Sequence, residues 1–190
     1  MEGKPVRIAK TGYTGEPIGY ELYCNSEDAR YFWDRLIELG AKPTALGARD
    51  TTRMEAALPL YGHEMGECEM GGEIQIYAVP LAKFAVSFDE AKGDFIGREP
   101  LKKQFEALKK IMNRDYSSIE DLPYRIQPIY LEGKGVLRKG FPIYCKDAWA
   151  EGKQIGYVTS GTMIPYYKTE GQGLESVFTD ETGKRSIGLA

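Results

Sequence analysis

The chain has no apolar run approaching the ~20 residues that cross a bilayer. Its start, Met1-Glu-Gly-Lys-Pro, carries neither an apolar leader core nor an Arg-rich amphipathic pattern. No membrane partner is expected, and the expected compartment is the cytoplasm. Long basic runs are also missing. Lys+Arg 25 against Asp+Glu 28 gives a net charge of −3, so a nucleic-acid partner has no electrostatic support, although an anionic small molecule could be held locally. Cysteine is scarce: Cys24, Cys68 and Cys145 lie far apart without CxxC spacing. That pattern suits a reducing compartment and argues against a metal site, leaving each thiol as a small hydrophobe. Internal repeats are lacking, and there is a single histidine, His63.

What is present describes an ordinary folded protein. In 190 residues, 42% are hydrophobic and 28% charged, close to average globular usage. A chain of this size removes roughly 70% of its unfolded surface from water, so neither disulfides nor a structural metal is required. The excesses are Gly 22 and Tyr 13. They suit strands and turns, with half-buried sheet edges or a planar aromatic ligand as the two uses of tyrosine.

Alternation predicts strands at Val6–Lys10 and Tyr20–Cys24, joined as a hairpin through Thr11-Gly-Tyr-Thr-Gly-Glu-Pro-Ile-Gly. Ser26 with Glu27 and Asp28 predicts a helix start. Ala29, Phe32, Trp33, Leu36 and Ile37 then share one helical face, and Gly40 supplies the stop. Residues Ala45–Ala57 read as a second helix carrying Arg49, Asp50 and Arg53; Ile74–Val79 and Phe84–Phe88 read as strands; and Gly97-Arg-Glu-Pro-Leu opens a third helix. Periodicity fades between Ile111 and Pro123. Short strands at Ile126–Leu131, Phe141–Cys145, Ile155–Thr159 and Ser186–Ala190 follow, separated by glycine turns. The expected fold class is α+β, with a boundary near residue 115 and a small antiparallel β-barrel over 116–190.

Three clusters could carry chemistry. Tyr13, Glu16 and Glu21 surround the glycine turn. A carboxylate there can accept two parallel N–H bonds from a guanine-like or pterin ring while tyrosine supplies a stacking face; a solvated hairpin loop is the plainer account. Arg49 and Arg53 sit one helical turn apart, an unfavourable like-charge pair unless an anion intervenes. Asp50 can pair with Arg53, which leaves Arg49 to hold an external carboxylate or an internal glutamate. Tyr61-Gly-His63-Glu64 holds the lone histidine, which without a neighbouring nucleophile suits a structural hydrogen bond better than base catalysis. VTSGT (Val158–Thr162) has phosphate-loop composition but lacks a following Lys-Ser/Thr, so a turn between strands is expected.

These segments, in this order, resemble the aminomethyltransferase (T protein) family of the glycine cleavage system. The resemblance rests on TGYTGE (Thr11–Glu16) with GYELY (Gly19–Tyr23), LGARD with Arg53 (Leu46–Arg53), LPLYGHE (Leu58–Glu64), DFIGREPL (Asp94–Leu101), and GFPIY with IGYVTSGT (Gly140–Tyr144, Ile155–Thr162). It implies an enzyme that transfers the methylene carbon of an aminomethyl group, carried on the lipoyl arm of the H protein, to tetrahydrofolate with release of ammonia. It further implies that Glu21 grips the pterin, Tyr13 lines its pocket, Arg49 meets the folate, and Phe84 stands where many members have a tryptophan beside it.

The hairpin reads GEPIGYE, one residue longer than the family's common GEDGFE, so Glu21 is chosen over Glu16 on the premise that the turn absorbs the addition. Leu58 replaces a tyrosine of some relatives, and Tyr166–Arg185 reads as an insertion. The resemblance assigns residues 1–115 to the C-terminal part of the folate-binding domain and 116–190 to the small β domain. The N-terminal half of the family fold, with an aspartate that assists the chemistry, has no counterpart here. No catalytic residue is therefore assigned, and that missing half is an expected partner. An alternative is a non-catalytic folate-binding or interaction module using half of the same fold. Another keeps the folate and changes the donor, as in sarcosine and dimethylglycine dehydrogenases.

Overall fold

A computed structural model describes residues 3–147 and 151–190. It divides into two compact units, Met1–Leu58 and Pro59–Ala190, each described by itself.

The first unit opens with β1 (Val6–Ala9) and β2 (Glu21–Cys24), an antiparallel pair in which Ile8 faces Leu22 and Ala9 faces Glu21. The loop between them is tight because glycine lets its arms meet. A Cβ added at Gly12 would lie 3.6 Å from the Gly19 Cα, and one added at Gly19 would lie 3.1 Å from the Thr11 carbonyl. Gly15 is fixed more strongly: its φ is +84° and an added Cβ would sit 2.3 Å from the Ala56 Cβ. A short 3-10 turn at Ser26–Asp28 leads into α1 (Ala29–Glu38). Ser26 thus begins the turn rather than capping the helix. Buried Asp28 takes a hydrogen bond from Lys4, which raises the Lys4 pKa. The second helix, α2, runs Leu46–Glu55, within the expected Ala45–Ala57.

Within this first unit the buried residues are Asp28, Phe32, Arg53 and Met54 among those described. The apolar stripe expected on α1 exists, but only Phe32 is covered. Trp33, Leu36 and Ile37 remain 53%, 41% and 37% exposed.

The second unit begins with β3 (Gly66–Glu67) and β4 (Glu73–Ile74), a minimal antiparallel pair. The strands expected at Ile74–Val79 and Phe84–Phe88 are not formed. Ile76–Ala78 is a 3-10 turn, and Ala82–Ala85 is the one-turn helix α3. The Ala78 and Val79 N–H groups bond back to the Gln75 and Ile76 carbonyls at 2.9 and 3.2 Å, three residues earlier, so they are not offered to a neighbouring strand. Helix α4 (Arg98–Met112) starts after Gly97, whose φ is +87°. It contributes buried Ala107 and Leu108, and Phe105 packs its ring 5.3 Å from Tyr77 and 5.5 Å from Phe88.

Beyond this core come β5 (Pro128–Tyr130), β6 (Pro142–Tyr144), β7 (Gln154–Tyr157), β8 (Ser160–Glu170) and β9 (Val177–Leu189). They form a three-stranded sheet ordered β5-β9-β8 and a two-stranded sheet β6-β7, all antiparallel. The chain is thus mixed α and β with small antiparallel sheets, as expected. These strands do not close into a barrel among the described residues, because β6-β7 and β5-β9-β8 are separate sheets. The segment Tyr166–Arg185, expected as an insertion, is the outer part of the β8-β9 hairpin. Tyr166 packs against its cross-strand partner Gly183, where an added Cβ would come within 2.8 Å of its ring. No described helix is long and apolar enough to cross a membrane.

Candidate functional site

In the first unit, the glycine-dependent loop carries Tyr13 to α2, where the Arg49 guanidinium lies 5.9 Å from the centre of its ring. A cation over an aromatic face is attractive, and it orients the guanidinium without neutralising it. Arg53, one turn further along, is fully buried. Its Nε donates to Asp50 Oδ1 at 2.7 Å, a second nitrogen lies 2.6 Å from the same oxygen, and Nη1 donates to the Leu58 carbonyl at 3.0 Å. The pairing of Asp50 with Arg53 expected from their spacing is therefore formed. Two arginines of similar sequence context have divergent surroundings: Arg53 is buried in its ion pair, while Arg49 is exposed beside Tyr13.

Glu21 stands at the start of β2 and is half-buried. Its Oε2 accepts a 2.6 Å hydrogen bond from the Tyr23 hydroxyl, two residues along the same strand and therefore on the same face. That bond, with the negative charge beside it, raises the Tyr23 pKa above its ordinary value. Tyr23 was not among the residues expected at the site. The alternating signal Glu-Leu-Tyr in β2 was available for it, but only with the strand face known. Glu16 is exposed in the loop.

Phe84 belongs to the second unit. It lies in α3, is 78% exposed, and has the Lys83 ammonium 4.9 Å from its ring centre.

In that unit two of the sequence motifs join. Glu64 is fully buried; its Oε2 accepts the Leu60 N–H at 2.9 Å and its Oε1 accepts the Thr159 hydroxyl at 2.6 Å. Next to it, His63 Nδ1 shares a 3.1 Å hydrogen bond with the Ser160 hydroxyl. The lone histidine thus has a structural partner, as expected. Glu64, which the sequence marked only as His63's neighbour, anchors LPLYGHE to VTSGT. No local pattern could reveal this, since the partners are 95 positions apart. Of VTSGT, only Val158 and Thr159 link β7 to β8; Ser160–Thr162, expected in a turn, already belong to β8 and pair with β9. Gly161 is required there because an added Cβ would lie 2.4 Å from the Leu137 carbonyl oxygen.

Nearby, Tyr157 is 7% exposed and its hydroxyl accepts the Glu69 N–H at 3.1 Å. Burial, reinforced by a hydrogen bond with the Cys68 thiol, pushes its pKa up to about 12. A cavity of about 260 Å³ adjoins it, walled largely by Ile126, Ile129, Ile143 and Ile155.

Residues 1–78 match the family model described as the GCVT N-terminal domain. Similarity to curated proteins extends much further. An aminomethyltransferase of Staphylococcus saprophyticus is 38% identical over 186 residues, 97% of this chain and 44% of that relative. One from Halalkalibacterium halodurans is 40% identical over 172 residues, covering 88% of this chain and 40% of the relative. One from Bacillus cereus is 36% identical over 194 aligned positions, covering 100% and 42% respectively. The chain therefore spans less than half the length of these relatives. The family resemblance carried by its motifs is borne out, and over nearly all of its residues the chain is related to a portion of the aminomethyltransferases.

Proposed function

We propose that these residues form part of a folate-dependent aminomethyltransferase of the glycine cleavage system. In the whole enzyme the methylene carbon of an aminomethyl group on the lipoylated H protein passes to tetrahydrofolate, and ammonia is released. The observation that carries this reading is the Tyr13 ring against the Arg49 guanidinium on the glycine loop and α2, in a chain similar throughout to aminomethyltransferases. Tyr13 would offer the pterin a stacking face. Glu21 would accept its paired N–H groups, with the carboxylate oriented by Tyr23. Arg49, exposed and cationic, suits the folate's anionic glutamate tail. Phe84 would pack beside the folate in the assembled enzyme.

The domain division 1–115 and 116–190, with the latter as the small C-terminal β domain, belongs to the same proposal, as does a cytoplasmic location. No residue here is assigned to the bond-making step. The isolated chain should turn over poorly, because an incomplete cavity cannot hold two reactants in attack geometry.

Titration calorimetry of the chain with tetrahydrofolate tests the reading. Binding is expected, and Glu21→Gln should weaken it by roughly tenfold or more, the scale of a lost charge-assisted hydrogen bond. Absence of binding would reject the folate reading for this chain; equal binding by the variant would reject Glu21 as its pterin ligand.

A further inference from the structure

The outer part of the β8-β9 hairpin lies outside the motifs that carry the family resemblance, and it brings two tyrosines to one arginine. Arg185 belongs to β9, the central strand of the order β5-β9-β8. Tyr166 of β8 is paired with Gly183, and Tyr130 of β5 with Ile187. Alternate residues of a strand share a face, so both rings stand on the face of Arg185, each one diagonal step away. The guanidinium carbon lies 4.4 Å from the centre of the Tyr166 ring and 5.1 Å from that of Tyr130.

This arginine is held without being neutralised. Contact with the rings restrains the guanidinium and leaves its N–H groups in need of an acceptor. Among the described residues Arg185 forms no ion pair. Glu132, on the adjoining loop, instead accepts the Tyr130 hydroxyl at 3.3 Å.

A concave surface surrounds the cluster. Arg185, Tyr166 and Tyr130, with Lys184 and the loop Leu131–Gly133, line a cavity of about 410 Å³, inside the range of about 300–1,000 Å³ typical of small-ligand sites. The loop is pinned to β9 by the Leu131 N–H on the Ser186 carbonyl at 2.9 Å. A guanidinium fork, an ammonium and the Tyr166 phenol thus border one cavity, whose one lining carboxylate is already engaged by Tyr130. Two positive charges with several donors match a compact dianion of several oxygens better than a single carboxylate.

We propose that this cavity binds a small molecule bearing a phosphate monoester. The phosphate oxygens accept from Arg185, Lys184 and the Tyr166 hydroxyl. The organic part of the ligand lies against Tyr130, which is 57% exposed. The site shares no residue with the one proposed for tetrahydrofolate, so the result for one does not decide the other.

The test titrates the complete 190-residue chain with phenyl phosphate and, separately, with inorganic phosphate at about pH 8, where the ester is a dianion. Backbone amide shifts are followed by NMR. Saturable one-to-one binding of phenyl phosphate is expected, with shifts at 130–133, 166 and 183–185, and with higher affinity than inorganic phosphate because the ring adds an aromatic contact. Acetate should bind roughly tenfold more weakly or worse. Arg185→Gln should weaken phenyl phosphate by roughly tenfold or more and Tyr166→Phe by about threefold. Lys153→Gln, the same loss of charge at an exposed position outside the cavity, should change it by less than about twofold. Shift mapping on the unaltered chain needs no variant to fold. Absence of saturation, shifts centred on Arg49, acetate binding as well as phenyl phosphate, or equal losses in Arg185→Gln and Lys153→Gln would each overturn the proposal. Binding to phosphatidic-acid vesicles without binding of either soluble phosphate would overturn it too, in favour of a lipid surface.

Discussion

The Glu64 carboxylate and the Thr159 hydroxyl meet at 2.6 Å across 95 positions of sequence, with Glu64 fully buried and its other oxygen on the Leu60 N–H. The reciprocal Glu64 N–H to Leu60 carbonyl bond, 3.0 Å long, makes the LPLYGHE turn a closed unit. A buried acceptor that satisfies two donors is costly to remove, because both donors are then left without water or partner.

Glu64→Ala is therefore expected to destabilise the chain by about 2–4 kcal/mol in urea unfolding. Glu64→Gln keeps one carbonyl acceptor and offers the threonine oxygen a donor, and should cost about half as much. An alanine variant within 0.5 kcal/mol of the parent, roughly the scatter of an ordinary surface substitution, would refute the clamp.

The two arginines of α2 should separate cleanly. Arg53→Ala removes a fully buried side chain and takes its donor from the Leu58 carbonyl, while Asp50, whose side chain is partly exposed, keeps access to water; the change is expected to cost about 2–4 kcal/mol. Arg49→Ala should leave stability within about 0.5 kcal/mol, since the side chain is exposed, and should weaken tetrahydrofolate binding under the proposed function. Denaturation and calorimetry on the same two proteins check both halves.

Gly15→Ala is expected to be far more damaging than Gly12→Ala. The first combines a positive φ with a 2.3 Å approach to Ala56, while the second meets only Gly19 at 3.6 Å. Left-handed backbone and overpacking together amount to about 2–4 kcal/mol. Thermal melts should show the difference. Loss of folate affinity in Gly15→Ala beyond what unfolding explains would tie this glycine to the placement of Tyr13.

Tyr157 predicts an alkaline limit. Its phenol is neutral in the fold up to about pH 12, whereas in the unfolded chain it ionises near pH 10. Between those values the unfolded state has lost a proton that the native state keeps, so stability falls as pH rises. The loss should be on the order of 1–3 kcal/mol across the window. Tyr157→Phe should show a shallower decline over the same range; Tyr23 and Tyr77, whose pKa values are also raised, account for part of what remains. An identical slope in the variant would contradict the burial argument.

Much of the local structure was legible because it depends on short-range physics. Alternation in VRIA and ELYC placed β1 and β2, helical periodicity placed α1 and α4, the nearly glycine-free stretch between Pro43 and Pro59 placed α2, and the three-residue spacing of Asp50 and Arg53 anticipated their ion pair. The motifs that point to the family are linear, so order and spacing alone carried them. Where composition and backbone bonding disagreed, bonding prevailed: Ile74–Val79 has strand composition, but the Ala78 and Val79 N–H groups close 3-10 turns on Gln75 and Ile76 and pair with no strand among the described residues.

What the sequence by itself determined is therefore the class of elements, the charge balance and the kinship. The tertiary structure decided which of two arginines is buried, which glutamate anchors which motif, and which apolar face stays open. Each of these depends on partners brought together by folding. Desolvation and hydrogen bonding act between neighbours in space, and the chain distance from Glu64 to Thr159 contains no trace of their contact.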